Sequence, residues 1–246
     1  MKKVLFFDMY QTLVDTEVGG DKEVEGNSHK SVFSTFLINR GIKEIEANKF
    51  QSNYDELREE FYLNHDKKTE HHDFKKLLIQ VFKQFYAIDI EDEVLGKQIW
   101  QYRILVRGNT RLYDGVKETL EILSKEHTIF LASYTQASYS LLELEELGIK
   151  DYFKGFIFSS DIGYRKMSNE FYKKCIEASK TEASNCIMIG DNGVEDVYMA
   201  KKNGMKAVWI KNLASAEVPD SYDIYRDAEL DISDFVNLPE IVKSIQ

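Results

Sequence analysis

Cysteine and proline are scarce in this chain, which has two of each among 246 residues. Cys175 and Cys186 are too few for a disulfide framework, and both lie in segments that we predict to be buried. Because so few cysteines are typical of proteins from a reducing compartment, we expect a cytoplasmic protein.

Long apolar runs and an excess of positive charge are also absent. No run of about 18 apolar residues occurs, so we expect no transmembrane helix and no membrane partner. The apolar stretch after Lys3 ends at Asp8, which makes it too short for a signal peptide. The formal net charge of -10 argues against nucleic acid as a partner.

Apolar residues make up 43% of the chain, and their spacing predicts a parallel β-sheet. Apolar runs, the first of them without any alternation, occupy residues 4–7, 128–132, 155–158, 186–189 and 206–210. Amphipathic helical patterns separate most of these runs, at residues 116–123, 139–147, 171–178 and 194–202. Strands that alternate with helices predict a doubly wound α/β fold with a Rossmann-like parallel sheet.

Residues 18–107 interrupt this alternation. Helical patterns occupy residues 28–39, 49–64, 72–86 and 94–106, and no convincing strand pattern occurs among them. We therefore predict an all-helical domain of residues 18–107, inserted into an α/β domain of residues 1–17 and 108–246. Its aromatic residues at helical spacing, including Phe50, Tyr54 and Phe82, are predicted to lie mainly in its core.

Side chains suited to phosphate or metal chemistry follow several of the predicted strands. They are Asp8, Thr12, Ser133, Lys166, Asp191 and Asp196. An aspartate after a strand is by itself also typical of a turn or a helix cap. Ligands of parallel sheets bind beyond the carboxyl ends of the strands, so we expect these side chains to share one site. Carboxylates there repel one another unless a cation joins them, and a hard ion such as Mg²⁺ relieves that cost.

In order and spacing these motifs resemble those of the haloacid dehalogenase superfamily of hydrolases. The segments that carry the resemblance are residues 8–13 (DMYQTL), 131–133 (LAS), 163–166 (GYRK) and 190–196 (GDNGVED). The resemblance covers nearly the whole α/β part of the chain. It implies that the helical insertion is the cap domain that this family places after its first motif.

The resemblance implies a Mg²⁺-dependent phosphohydrolase that acts on a small phosphorylated metabolite. Asp8 would attack phosphorus and form an aspartyl-phosphate, with Tyr10 and Lys166 as the other catalytic residues. The residues implied to hold the metal are Asp8, Tyr10 through its backbone carbonyl, Asp191 and Asp196. Those implied to bind the phosphoryl group or the substrate are Thr12, Ser133, Tyr134 and Lys166.

Two departures from the family pattern leave the reaction open. Phosphatases of this family carry a second aspartate, a general acid, where this chain has Tyr10, and a phenol with a pKa of about 10 is a weak acid at neutral pH. Tyr134 stands where asparagine is common.

Tyrosine at position 10 is typical of the 2-haloacid dehalogenases, which makes dehalogenation the alternative. Asp191 argues against it, because its carboxylate would repel a haloacid. A relative that binds phosphate but turns over weakly is a further alternative.

Other polar residues are predicted to be structural. We expect the cluster of His65, His71, His72 and Asp73 to form a solvated face of the cap rather than a metal site. Arg40 is expected at an exposed helix end rather than in a halide site. A further acidic cluster is predicted to be exposed, and its members are Glu143, Glu145 and Glu146.

Overall fold

The computed structural model describes residues 2–16, 29–213 and 215–245. The first strand, β1 (Val4–Phe7), leads through a turn into β2 (Val14–Thr16). Four helices then follow one another: α1 (His29–Ile38), α2 (Glu44–Leu63), α3 (Phe74–Tyr86) and α4 (Asp92–Val106). We call residues 29–106 the helical segment. The short strand β3 (Thr110–Leu112) pairs antiparallel with β2, so the chain leaves the helical segment beside the strand that precedes it.

Helices and strands alternate through the rest of the chain. In order they are α5 (Val116–Glu126), β4 (Thr128–Ser133), α6 (Ala137–Glu146), β5 (Gly155–Phe158), α7 (Ser159–Ile162), α8 (Asn169–Ser179), β6 (Cys186–Gly190), a π-helix (Gly193–Tyr198), α9 (Met199–Lys202), β7 (Lys206–Lys211), β8 (Ala228–Asp231) and α10 (Leu238–Ser244).

Six parallel strands form the main sheet in the order β5-β4-β1-β6-β7-β8. The central strand β1 pairs Val4 with Thr128 of β4 on one side and with Cys186 of β6 on the other. The chain extends the sheet first through β4 and β5, and then in the opposite direction from β6. The strand order therefore reverses between β1 and β6, and this confirms the predicted doubly wound α/β fold. Ligands of such sheets bind at that reversal point.

Both faces of the sheet are buried, which explains why the strands lack polar alternation. Leu5 and Phe7 of β1 pack into a cluster with residues of α5 and α10, and Val4 and Phe6 pack on the other side with residues of α8. Burial of each such side chain contributes about 1.5–3 kcal/mol. No described helix is both long enough and apolar enough to cross a bilayer.

The helical segment has a hydrophobic cluster of its own, with residues from all four helices. Phe50, Tyr54 and Phe82 are buried in it, as predicted, and the rings of Phe50 and Phe82 lie 5.1 Å apart. The helix α3 begins after Asp73, because that carboxylate accepts a hydrogen bond from the backbone N–H of Lys76.

Candidate active site

Asp8 and Asp191 follow the two strands at which the strand order reverses. Asp8 comes directly after β1, where its N–H donates to the carbonyl of Ile189 at 2.9 Å, and Asp191 comes directly after β6. One carboxylate oxygen each from Asp8, Asp191 and Asp196 lies within 4.8 Å of the other two, and all three residues are buried. The predicted convergence of these carboxylates is therefore present at the edge of the sheet.

Lys166 joins two of the three carboxylates. Its ammonium nitrogen lies 2.6 Å from an oxygen of Asp8 and 2.6 Å from an oxygen of Asp196, and its side chain is only 2% exposed. Burial alone would lower the pKa of Lys166, but the neighbouring carboxylates raise it above its usual value. Lys166 therefore stays protonated and is, among the described residues, the cation bonded to this carboxylate cluster.

Asp191 completes the cluster without a lysine of its own. The hydroxyl of Thr12 donates to its carboxylate at 3.2 Å. Burial and the nearby charge of Asp8 raise the pKa of Asp191. Among the described residues these three carboxyl groups share one bonded ammonium, and their oxygens are the ligand type that Mg²⁺ prefers. The residues present thus fit a divalent cation between Asp8 and Asp191.

Hydrogen bonds between side chains and backbone N–H groups hold the segment from residue 190 to 196 in place. Asn192 caps the π-helix, because its side-chain oxygen accepts from the N–H groups of Val194 and Glu195. The N–H of Asn192 donates to Asp196 at 3.1 Å, while the other oxygen of Asp196 bonds to Lys166. Asp196 thus has both oxygens engaged by protein groups, and burial raises its pKa well above the usual range.

Ser133 and Tyr134 lie at the neighbouring strand end. Ser133 is buried and is the last residue of β4. Leu131, two residues earlier in β4, pairs with Phe7, the last residue of β1. Tyr134 is partly exposed, and its ring packs against that of His71 at a centroid distance of 4.8 Å. The sequence-predicted residues are therefore distributed around one sheet edge.

The hydroxyl of Tyr10 contacts Glu143, a residue that the sequence did not indicate as part of the site. The phenol donates a hydrogen bond to Glu143 of α6, which is fully buried. The prediction that Glu143 is exposed was wrong, whereas Glu145 and Glu146 are exposed as predicted. The buried face of α6 contains Ser140, Glu143 and Leu144, and this i, i+3, i+4 spacing was the available signal.

The ion pair of Glu143 explains how a carboxylate can be buried there. Arg103 of α4 donates to it through Nε at 2.8 Å, and Arg107 lies 3.7 Å from the same oxygen. Burial and the charge of Glu143 raise the pKa of Tyr10 well above that of a free phenol. Tyr10 therefore stays neutral, with its proton directed at Glu143.

A cavity of about 490 Å³ opens beside this arrangement, between the α/β part and the helical segment. Residues that line it include Tyr10, His71, Arg103, Tyr134, Gln136 and Tyr139. Two of its lining residues are close in sequence to the predicted site: Tyr10 lies two residues after Asp8, and Tyr134 directly follows Ser133. The sequence patterns did not indicate which residues of the helical segment reach the site, and Arg103 and His71 are two of them.

His71 and His72 do not form a solvated face, so the prediction was wrong for these two, whereas His65 and Asp73 are half-buried. His71 is buried and accepts a hydrogen bond from Gln136 at 2.6 Å. His72 lies between the hydroxyls of Tyr54 and Tyr62, at 2.9 and 3.0 Å. Burial lowers the pKa of His71 to about 3 and that of His72 to about 4, so both are neutral at pH 7.

These histidines also form no metal-binding group. Among the residues that the structure describes, the only acidic or histidine cluster with metal-like spacing is that of Asp8, Asp191 and Asp196. Arg40 is exposed and bonds to Gln101, in agreement with its predicted place at a helix end.

Known proteins resemble this chain in sequence and in fold. A family model described as haloacid dehalogenase-like hydrolase matches residues 2–204. A glyceraldehyde 3-phosphate phosphatase from Pyrococcus furiosus is 26% identical over 251 residues, covering 99% of this chain and 93% of that protein.

Two solved structures are similar over almost the full length. A 2-haloacid dehalogenase from Pseudomonas syringae pv. Tomato DC3000 has a TM-score of 0.67 at 21% identity, with 99% of each chain covered. A HAD phosphatase from Thermococcus onnurineus has a TM-score of 0.57 at 24% identity, with 98% of each chain covered. At these identities the two likenesses establish the fold and do not choose between the two reactions. The family match over most of the chain does establish the family, and this chain belongs to the haloacid dehalogenase-like hydrolases.

Proposed function

We propose that this enzyme is a Mg²⁺-dependent phosphohydrolase of small phosphorylated metabolites. The observation that carries the proposal is the cluster of Asp8, Asp191 and Asp196, in which three carboxylate oxygens lie within 4.8 Å of one another. A phosphatase among the relatives, at 26% identity, supports a phosphoryl substrate.

Asp8 is proposed as the nucleophile. One carboxylate oxygen of Asp8 would attack phosphorus and form an acyl phosphate while the bond from phosphorus to the ester oxygen breaks. Water would then hydrolyse the aspartyl-phosphate and restore the carboxylate. Lys166, already 2.6 Å from Asp8, would hold a phosphoryl oxygen and offset the charge that both anions bring together.

Mg²⁺ would be held by Asp8, Asp191 and the backbone carbonyl of Tyr10, and would supply charge neutralisation for the phosphoryl group. Asp196 would act mainly by positioning Lys166, because both of its oxygens are engaged by protein groups. The hydroxyl of Ser133 would bind a phosphoryl oxygen. Thr12 would orient Asp191, to which it donates a hydrogen bond.

Tyr10 would not serve as the general acid for the leaving group. Its hydroxyl is bonded to Glu143 and its pKa is raised, so its proton is harder to transfer than that of a free phenol. Esters whose leaving group departs without protonation, such as acyl and aryl phosphates, would therefore react faster than alkyl phosphates.

We also propose that residues 18–107 are the cap domain and residues 1–17 and 108–246 the core domain. The pairing of β2 with β3 at the junction and the separate hydrophobic cluster of the helical segment support this division. Closure of the cap would exclude bulk water during the first displacement. The two free, buried cysteines suit the cytoplasm.

Dehalogenation is the second candidate, because the family's 2-haloacid dehalogenases carry tyrosine in the place of Tyr10. The ionised cluster around Asp191 disfavours it. Without a metal, Asp8, Asp191 and Asp196 exceed the one charge of Lys166, and a haloacid carboxylate would add further repulsion.

A paired assay tests the proposal. Phosphate release from 4-nitrophenyl phosphate and acetyl phosphate, and halide release from 2-chloropropionate, would be measured with and without Mg²⁺. We expect phosphate release that requires Mg²⁺ and is lost in Asp8→Asn. Metal-independent halide release would instead establish the dehalogenase. Mg²⁺ binding without any turnover would favour a weakly active relative.

A further inference from the structure

The cavity beside the carboxylate cluster has an uneven distribution of charge. Among the described residues that line it, Arg103 is the one with a formal charge, and none is a carboxylate. Its other polar groups include the phenols of Tyr10 and Tyr134 and the amide of Gln136. The phenol of Tyr10 already donates to Glu143 and the amide of Gln136 to His71, so the guanidinium of Arg103 is the main group that this cavity offers to an anionic ligand.

Arg103 is held in place by its own contacts. Its Nε donates to Glu143 at 2.8 Å, and its guanidinium carbon lies 4.7 Å from the ring centre of Tyr139 and 6.0 Å from that of Tyr10. Its terminal nitrogens make no hydrogen bond to any residue in the part of the chain that the structure describes. The side chain is 25% exposed and lines the cavity.

Glu143 does not cancel this charge on the side of the cavity. It is fully buried and does not line the cavity, and it also accepts from Tyr10. Arg107, which directly follows α4, supplies a second positive charge near Glu143 and pairs with Glu146 at 2.6 Å. Of these two arginines, Arg103 lines the cavity and Arg107 does not.

We propose that Arg103 binds a carboxylate on the leaving group, so that the enzyme selects phosphate esters of small hydroxy acids over those of neutral alcohols. The two terminal nitrogens of a guanidinium match the two oxygens of a carboxylate, and such paired bonds add both affinity and orientation. A cavity of about 490 Å³ accommodates a leaving group of a few carbon atoms. The inference rests on the proposed function, because it assumes that the phosphoryl group sits on the carboxylate cluster.

Three ligands with one carbon skeleton test the inference. 3-Phosphoglycerate, glyceraldehyde 3-phosphate and glycerol 3-phosphate differ only at one terminal carbon, which is a carboxylate, an aldehyde or an alcohol. Their Kd values would be measured by calorimetry with Mg²⁺ and the Asp8→Asn protein, which cannot form the covalent intermediate. We expect 3-phosphoglycerate to bind at least tenfold more tightly than the other two.

Matched variants then assign the preference to Arg103. In the Asp8→Asn background, Arg103→Met should reduce the preference for 3-phosphoglycerate to less than threefold, and Arg103→Lys should retain part of it. Arg107→Met removes the same charge from the same helix without touching the cavity, and should leave the preference within twofold of its original value.

Several results would overturn the inference. They are equal Kd values for the three ligands, tighter binding of the aldehyde, no binding of any ligand, or equal losses in Arg103→Met and Arg107→Met. If Arg103→Met fails to fold, two other results still test whether Arg103 binds the carboxylate. They are the ranking of the three ligands in Asp8→Asn and the preference that remains in Arg103→Lys. Failure of the proposed function is a separate result, because phosphate release would then be absent from the unmodified enzyme, or would persist without Mg²⁺ or in Asp8→Asn.

Discussion

Tyr10 is the side chain that most clearly separates this chain from the phosphatases it resembles. Its phenol bonds to Glu143 rather than standing free above the nucleophile. Tyr10→Asp would restore an acid at that position, and we expect it to raise kcat for glycerol 3-phosphate by about 10²-fold relative to that for 4-nitrophenyl phosphate. Steady-state kinetics on the two esters measures the change.

The control for this prediction is Tyr10→Asn. It removes the same phenol and adds no acid, so the ratio of the two kcat values should stay near that of the unmodified enzyme. An equal gain in both variants would show that release of Glu143, and not general acid catalysis, is responsible.

Lys166 is the cation bonded to the buried carboxyl group of Asp196, and its charge opposes the burial that raises the pKa of Asp196. Lys166→Met leaves that carboxylate without its cation, and we expect the free energy of unfolding at pH 7 to fall by about 3–5 kcal/mol. Because the pKa of Asp196 would then rise further above its unfolded value, the folded state would take up a proton more readily. Part of the lost stability should therefore return as the pH falls from 7 to 5.

Urea unfolding at the two pH values measures both effects. The double variant Lys166→Met/Asp196→Asn removes charge and partner together, and should be more stable at pH 7 than Lys166→Met alone. A single variant as stable as the unmodified protein would contradict this account of the pair.

The residues of the carboxylate cluster could be predicted because their positions follow from the strand ends. Glu143 and His71 could not be placed in the same way. Their burial depends on what packs opposite them, an arginine pair from α4 for Glu143 and Gln136 for His71. Residues of the helical segment and the α/β part that meet across the cavity are far apart in sequence, and no local spacing relates them.

Among the described glycines, Gly190 at the end of β6 has the least room for a side chain. A Cβ atom on Gly190 would lie 2.2 Å from an oxygen of Asp196. That oxygen accepts a hydrogen bond from the N–H of Asn192, and the other carboxylate oxygen of Asp196 accepts one from Lys166. The side chain of Asp196 therefore cannot move freely. We expect Gly190→Ala to lower the free energy of unfolding by about 1–3 kcal/mol. It should also abolish Mg²⁺-dependent turnover.

Gly96 in α4 provides the matched control, because a Cβ atom there meets no atom within 4 Å. Gly96→Ala should raise stability by about 0.5–1 kcal/mol through helix propensity. Urea unfolding of the two alanine variants compares them directly, and a harmless Gly190→Ala would contradict the packing described for Asp196.

The buried strands and the longer helices could be predicted from apolar spacing, whereas the short or exposed elements could not. The sheet strand β8 is only four residues long, AELD, with one buried residue, so it lacks the apolar run that identifies β1 or β6. The pair β2 and β3 has three residues in each strand. Their pairing depends on the return of the chain from the helical segment, which no periodicity encodes.

The stability of the entire chain should depend on pH through its buried histidines. The pKa of His71 is about 3 in the folded state, against 6.5 for an unperturbed histidine. As the pH falls below 6.5, the unfolded chain binds a proton there and the folded chain does not. The free energy of unfolding should therefore fall by up to about 1.4 kcal/mol per pH unit from this residue, with no such contribution above pH 6.5.

The raised pKa values of Asp191 and Asp196 make the folded state more stable as the pH falls, which is opposite to the effect of the histidines. The contribution of the histidines is therefore measured as the difference between the unmodified protein and a variant that lacks them. Urea unfolding between pH 7 and pH 4.5 should show a steeper loss of stability in the unmodified protein than in His71→Gln/His72→Gln. Parallel curves for the two proteins would show that these histidines are not buried neutral groups.

The proposed hydrolysis requires Asp8 and Asp191 to share one divalent cation. Calorimetric titration of Mg²⁺ into the unmodified protein and into Asp191→Asn tests this most directly. We predict a single site in the unmodified protein and an affinity at least tenfold weaker in Asp191→Asn. No Mg²⁺ binding to the unmodified protein, or the same affinity in both, would contradict it.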